Sequence, residues 1–303
     1  MSRIHDALKK AAEERASNSQ AHASETFVDL TEGKGRSSHG GGGVETTATK
    51  EAVRVDKPVP VRFEELLRRC TRPNWTLDPS MSVFAGTETQ RMGAEPFRTL
   101  RSRLTQIATI RPLKRVLVTS SVPEEGKTFV AANLAQSIVR QPDRRVLLID
   151  ADLRASRLHV ALGAPATPGL SDYLRGQVNE FEIIQSGPQE NLCFIPGGNQ
   201  ASNPSELLLG ERMRRLLEMV TPIFDFVILD SPPATPVHDP SFLADWCDGV
   251  LFVVRAGVTN FEMAQKAVAE FQEKNLLGVV LNAAQWESGY SGYGKYLDGY
   301  GGD

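Results

Sequence analysis

From Arg115 onward the sequence alternates short, nearly continuous Val/Ile/Leu runs with longer segments whose apolar residues recur every three or four positions. The runs predict strands at Val116–Thr119, Val146–Ile149, Leu192–Ile195, Phe226–Leu229, Val250–Val254 and Gly278–Leu281. The periodic segments predict helices near Thr128–Arg140, Ser205–Val220, Ser241–Cys247 and Asn260–Lys274. Strands apolar on both faces and separated by helices make a parallel sheet covered on both sides. The fold class is therefore α/β, doubly wound around a mainly parallel sheet. Upstream, Phe97, Leu100, Leu104 and Ile107 share one helical face within Gly93–Ile110, with arginines on the other side.

The two ends break this pattern. Residues 2–15 are good helix formers with Ser2 as N-cap and a narrow stripe of Ile4, Leu8, Ala11 and Ala12. They predict a short amphipathic helix over 1–15, either fraying in water or docking on a partner or a membrane surface. Residues 16–60 turn to Ser, Thr, Gly, Lys and Glu and read as a disordered tether. Residues 61–284 hold the alternating pattern of a single domain, and 285–303 read as a flexible tail.

Composition narrows the function classes. The 303 residues carry a net charge of -3, which gives no general reason to expect nucleic acid. Basic residues do concentrate between Val61 and Arg115, where a solvated basic face is the plain explanation. Cys70, Cys193 and Cys247 are far apart and, like the five histidines, show no metal-ligand spacing. No run approaches the ~18 apolar residues of a membrane span, and the first residues lack a secretory signal pattern, so a cytoplasmic location is expected. Tyrosine is the skewed residue: of five, Tyr290, Tyr293, Tyr296 and Tyr300 fall in the last 14 positions, among six glycines of the segment 287–303. By composition this is either an adhesive low-complexity tail or a mobile segment able to enter an active site.

Three strand ends carry chemistry. The strand Val116–Thr119 runs into Ser121-Val122-Pro123-Glu124-Glu125-Gly126-Lys127-Thr128 and then a helix, which is the spacing G-x-x-x-x-G-K-[ST] with Ser121 for the first glycine. Such a loop wraps phosphates with backbone N–H groups, while Lys127 reaches the β/γ-phosphates and Thr128 reaches magnesium. Val146–Ile149 ends in Asp150-Ala151-Asp152-Leu153-Arg154, and Phe226–Leu229 ends in Asp230-Ser231-Pro232-Pro233. Acids at the carboxyl edge of an open α/β sheet stand where such sheets bind ligands. An ion-pair network is the structural alternative for any one motif; the three together point to phosphate and magnesium chemistry.

With these motifs, the stretch from about Ser82 to Ala284 resembles the bacterial tyrosine kinases, deviant P-loop enzymes related to the chromosome-partitioning and division-site ATPases of the ParA and MinD type. The resemblance implies a P-loop NTPase fold, ATP and Mg2+ as cofactors, and tyrosine phosphorylation in trans on the tail at Tyr290, Tyr293, Tyr296 and Tyr300. It implies nucleotide contacts from Ser121, Pro123, Glu124, Glu125, Gly126, Lys127, Thr128, Phe129, Arg154 and Asn282, the last at the adenine. Metal would sit on Thr128, Asp152 and Asp230, with Lys127, Asp150 and Asp152 catalytic and Asp150 accepting the tyrosine proton. Glu95, Arg98 and Arg101 match an E-x-x-R-x-x-R motif that joins kinase domains in a homo-oligomeric ring; an intrahelical ion-pair ladder is the plainer alternative. The expected partners are a separate transmembrane adaptor, a polysaccharide co-polymerase, and a cognate tyrosine phosphatase, in exopolysaccharide or capsule export. Membrane contact is expected only through a partner or weakly through residues 1–15. The partitioning ATPases carry a signature lysine early in the P-loop; Val122 occupies that position, which favours the kinase branch. A nucleotide-switched scaffold or positioning ATPase, and an ATP-binding regulator of weak activity, remain the alternatives.

Overall fold

The computed structural model describes residues 61–84 and 88–284, the side chains of 88–92 excepted. These residues belong to the second of two units into which the chain divides, Asp56–Asp303. The expected N-terminal helix and tether, and the tail with its four tyrosines, lie outside the described residues.

Seven strands form: β1 (Arg115–Ser120), β2 (Val146–Asp150), β3 (Gln185–Ser186), β4 (Leu192–Ile195), β5 (Phe226–Asp230), β6 (Gly249–Arg255) and β7 (Leu276–Asn282). The helices are α1 (Phe63–Arg69), α2 (Glu88–Ile110), α3 (Lys127–Val139), α4 (Leu158–Leu162) and α5 (Leu170–Leu174). They continue as α6 (Glu180–Ile183), α7 (Pro204–Leu209), α8 (Glu211–Val220), α9 (Asp239–Ala244) and α10 (Phe261–Ala269). All six expected strands are present. The strand order is β3-β4-β2-β5-β1-β6-β7, parallel throughout except for β3, which runs antiparallel to β4.

Alternation along the strands explains why both faces need cover. Leu117, Leu147, Ile149, Val227 and Leu229 point into one apolar cluster, with α5, α8 and Phe271. Val116, Val118, Val146, Leu148 and Ile228 point into the other, with Phe97 and Leu104 of α2 and Leu134 and Ile138 of α3. Each such fully buried side chain contributes about 1.5–3 kcal/mol over an exposed one. Among the described residues, no helix is long and apolar enough to cross a membrane.

Three expectations need amendment. The helix expected over Ser205–Val220 is two, because Gly210 is extended (φ -70, ψ 157) and serves at once as C-cap of α7 and N-cap of α8. The one expected at Asn260–Lys274 ends at Ala269, and Phe271 beyond it turns inward and is fully buried. The basic stretch 61–115 is only partly a solvated face. Lys114 Nζ donates to the carbonyls of Thr221 and Phe224 at 3.0 Å, and Arg111 to that of Asp248 at 3.1 Å. Arg101 donates to Ser137 O at 2.8 Å.

The segment after α1 straps the β3 edge. Thr71 N donates to Ile184 O (3.0 Å), Ser186 N to Thr71 O (2.8 Å), and Thr76 N to Gly163 O (3.1 Å). Trp75 follows by packing edge-on to Phe194. A sheet edge covered in this way offers no free ladder to another chain.

The candidate phosphate site

In the sheet order β2, β5 and β1 are adjacent, so the three motif-bearing strand ends meet at one carboxyl edge. Asp150 and Asp230 pair in register there, and Ala151 N donates to Asp230 O at 2.8 Å. The loop from Ser121 to Gly126 leads into α3, whose first-turn N–H groups have no partner within the helix and carry its positive dipole end. Gly126 has φ +91, a conformation that disfavours any side chain, and a Cβ there would stand 2.0 Å from Asn282 Nδ2.

Lys127 Nζ lies 3.0 Å from Asp152 Oδ2, both side chains largely buried. Burial alone would lower the Lys127 pKa, but the charges of Asp230 and Asp152 outweigh it and hold the ammonium protonated. Thr128 Oγ1 donates to Asp230 Oδ2 at 2.7 Å, whereas Asp230 Oδ1 is buried with no hydrogen-bond partner. Burial pushes the Asp230 carboxyl up to about 6, against the opposing pull of Lys127 and the Thr128 hydrogen bond. Asp150, fully buried, is raised to about 7 by burial and then by Asp230. Its oxygens accept from Ser156 Oγ (2.6 Å), Leu158 N (3.0 Å) and Asp152 N (3.2 Å).

This set fits Mg2+ and a polyphosphate. A threonine hydroxyl and an unpartnered carboxylate oxygen are hard oxygen donors of the kind Mg2+ takes, with its remaining positions left to phosphate and water. Ser121 Oγ is a second buried polar atom without a partner at the loop's start. Three buried carboxylates with one lysine leave an excess of negative charge that a divalent cation would neutralise.

Several other expected contact residues have partners within the chain. Arg154 gives its guanidinium to Asp239 (Nε to Oδ2, 2.8 Å) and to Ser205 Oγ (2.9 Å). Ser205 in turn donates to Asp239 Oδ1, so the loops after β2, β4 and β5 are tied at one point. Phe129 packs edge-on against Phe97 of α2. Pro123 and Glu124 are exposed, with Glu124 at φ 66, while the Glu125 side chain is buried. Asn282 Nδ2 donates to Glu125 O at 2.9 Å. Arg98 pairs with Glu95 at 3.0 Å on the exposed face of α2, while Arg101 reaches across to the end of α3. Ser156, Ser205, Asp239 and Thr259 are partners that the linear motifs do not contain.

Two further stretches have a structural role. Leu170 N and Ser171 N donate to Pro196 O and Gly197 O, and Asp172, 3% exposed, accepts from Gly169 N and Asn199 Nδ2. This joint fixes the loop after β4, whose Gly197 has the Ser156 and Asp150 side chains against it.

A parallel sheet with a phosphate loop between β1 and α3, and acids at the ends of β2 and β5, defines a P-loop nucleotide-binding domain. The AAA domain family matches residues 124–269. The chain is 35% identical to the Bacillus subtilis tyrosine-protein kinase YwqD over 217 residues, 71% of this chain and 91% of that one. It is 34% identical to the Salmonella typhimurium tyrosine-protein kinase Wzc, matching 68% of this chain but only 29% of that longer protein. The solved kinase domain of the Escherichia coli tyrosine kinase ETK superposes with a TM-score of 0.60 at 31% identity, over 65% of this chain and 77% of that one. The BceF tyrosine kinase domain gives 0.60 at 26% identity, over 70% and 91%. The chain belongs to the bacterial tyrosine-protein kinases, a family of ATP-dependent phosphotransferases.

Proposed function

We propose that this chain phosphorylates Tyr290, Tyr293, Tyr296 and Tyr300 of a neighbouring copy, using Mg-ATP. The observation that carries this reading is the meeting of Lys127, Thr128, Asp152 and Asp230 at the P-loop of a kinase-family chain ending in four tyrosines. Mg-ATP, when bound, supplies the γ-phosphoryl group and the divalent charge that offsets its oxygens. Lys127 and the α3 N-terminus bind the phosphates, and Thr128 with Asp230 Oδ1 holds the metal, Asp152 contributing beside Lys127. Asp150 accepts the proton of the tyrosine hydroxyl, whose ordinary pKa near ~10 makes a nearby base useful. For that, the Ser156 hydroxyl must rotate off Asp150.

The Glu95–Arg98 pair on the exposed face of α2 is assigned to a ring contact between copies. Arg101 serves that contact from the α2–α3 junction. Each tail phosphate adds about -1.5 to -2 charges, so several would repel within a ring and release it. The process served is exopolysaccharide or capsule export, with a separate transmembrane adaptor or co-polymerase recruiting the domain to the cytoplasmic side of the membrane and a tyrosine phosphatase resetting it.

Mass spectrometry after incubation with Mg-ATP tests the reading. Phosphate is expected on the tail tyrosines of the parent chain and on none in Lys127→Met. ATP turnover with an unmodified tail would instead make the chain a nucleotide-switched scaffold.

A further inference from the structure

Glu125 stands within a loop built to bind anions, yet its carboxylate is 2% exposed and both oxygens are engaged by the protein. Oε2 accepts from Val122 N of the same loop at 2.7 Å, and Oε1 from Thr259 Oγ1 at 2.5 Å. The Thr259 hydroxyl itself accepts from Arg255 N at 3.2 Å, which closes the turn between β6 and α10. The same turn donates from Arg255 Nη1 to Glu124 O at 3.3 Å. From the other side, the amide of Asn282 donates to Glu125 O and fills the space where a Gly126 side chain would stand. A free carboxylate beside a phosphate would oppose it by like charge. With both oxygens taken by donors of the protein, the hydrogen bonds of this side chain give it a structural part in the loop.

We infer that Glu125 and Thr259 are positioning residues that set the P-loop's shape before nucleotide arrives, with Asn282 bracing the same loop from β7. The turn Arg255–Asn260 thereby becomes part of the phosphate-binding machinery, although no linear motif marks it. The staple constrains Val122 to Glu125, the part of the loop that precedes Gly126, so its loss acts on nucleotide affinity more than on the transfer step. This rests on the kinase reading for the reaction but not for the binding it describes.

Glu125→Gln and Thr259→Ser preserve the geometry. A glutamine oxygen still accepts from Val122 N, and its NH2 can donate to the Thr259 hydroxyl. Glu125→Ala and Thr259→Val break it. The test measures ADP affinity of the full chain by calorimetry, with tail phosphorylation followed in parallel as kcat and KM for ATP. Thr259→Val, which removes one hydrogen bond of the staple, and Glu125→Ala, which removes two, are expected to weaken ADP binding and raise KM about ten-fold or more, with a smaller change in kcat. Glu125→Gln and Thr259→Ser are expected within about three-fold of the parent, and the double variant Glu125→Ala/Thr259→Val no weaker than Glu125→Ala alone. Glu125→Gln binding as poorly as Glu125→Ala would overturn the inference, because the charge itself would then be in use. Parent-like binding by Glu125→Ala and Thr259→Val would overturn it as well. The expected affinity pattern in a chain that never phosphorylates tyrosine would uphold the staple and sink the kinase reading alone.

Discussion

Asp230 shows how a functional site opposes the stability of the fold that carries it. Its carboxyl is pushed up to about 6, above the ~3.9 of an unfolded aspartate, chiefly by burial. The native chain therefore holds more proton than the unfolded one between those pH values, and stability falls as pH rises through that window. Asn at this position can still accept from Thr128 and places its NH2 where Oδ1 lacks a partner. Without nucleotide or metal, Asp230→Asn is expected to melt a few degrees above the parent at pH 8, for a gain on the order of 2 kcal/mol, and to keep roughly half of that gain at pH 5. Equal gains at both pH values would show that the ionised carboxylate is not the source of the cost. Lys127, Thr128, Asp150, Asp152 and Asp230 were legible in the sequence because each sits at a fixed step from a strand end. Asp239, Ser205 and Thr259 were not, because their partners Arg154 and Glu125 are 85, 51 and 134 positions away. The same distance effect hid the ties that Arg154 and Asn282 make between loops.

Strands and long helices were read more securely than short ones for a physical reason. A strand buried on both faces must be apolar at every position, so β1, β2, β4, β5 and β6 announce themselves. The two-residue β3 and the single-turn α4 and α6 have no room for a period, and tertiary contacts define them. The junction of α4 with the strap shows such a contact. Gly163, the C-cap of α4, has φ +59, and a Cβ added there would stand 1.8 Å from Thr76 O. Gly163→Ala must therefore both strain its backbone and push the strap away. A loss of about 2–4 kcal/mol in denaturant unfolding is expected, with a phosphate site that still binds nucleotide. A loss under about 0.5 kcal/mol would mean that the strap yields freely and does not anchor the β3 edge.

At the scale of the whole chain, the proposed reaction joins the kinase domain to a tyrosine-rich tail that lies outside the described residues. The tail begins after β7, whose last residue Asn282 braces the P-loop of the same copy. The composition skew of four tyrosines among six glycines becomes informative only beside the phosphate site, since alone it fits a linker equally well. The proposed ring through Glu95, Arg98 and Arg101 would give each tail a neighbouring site, so the proposed transfer runs between copies. Mixing two forms tests it most directly: Lys127→Met, which keeps the four tail tyrosines but lacks the phosphate-loop lysine, and a chain ending at residue 284, which keeps the phosphate site but lacks those tyrosines. With Mg-ATP, neither form alone is expected to gain phosphotyrosine, and the mixture is expected to label the tail of the Lys127→Met chain. An unlabelled mixture, beside a parent chain that labels itself, would contradict it and place the transfer within one copy.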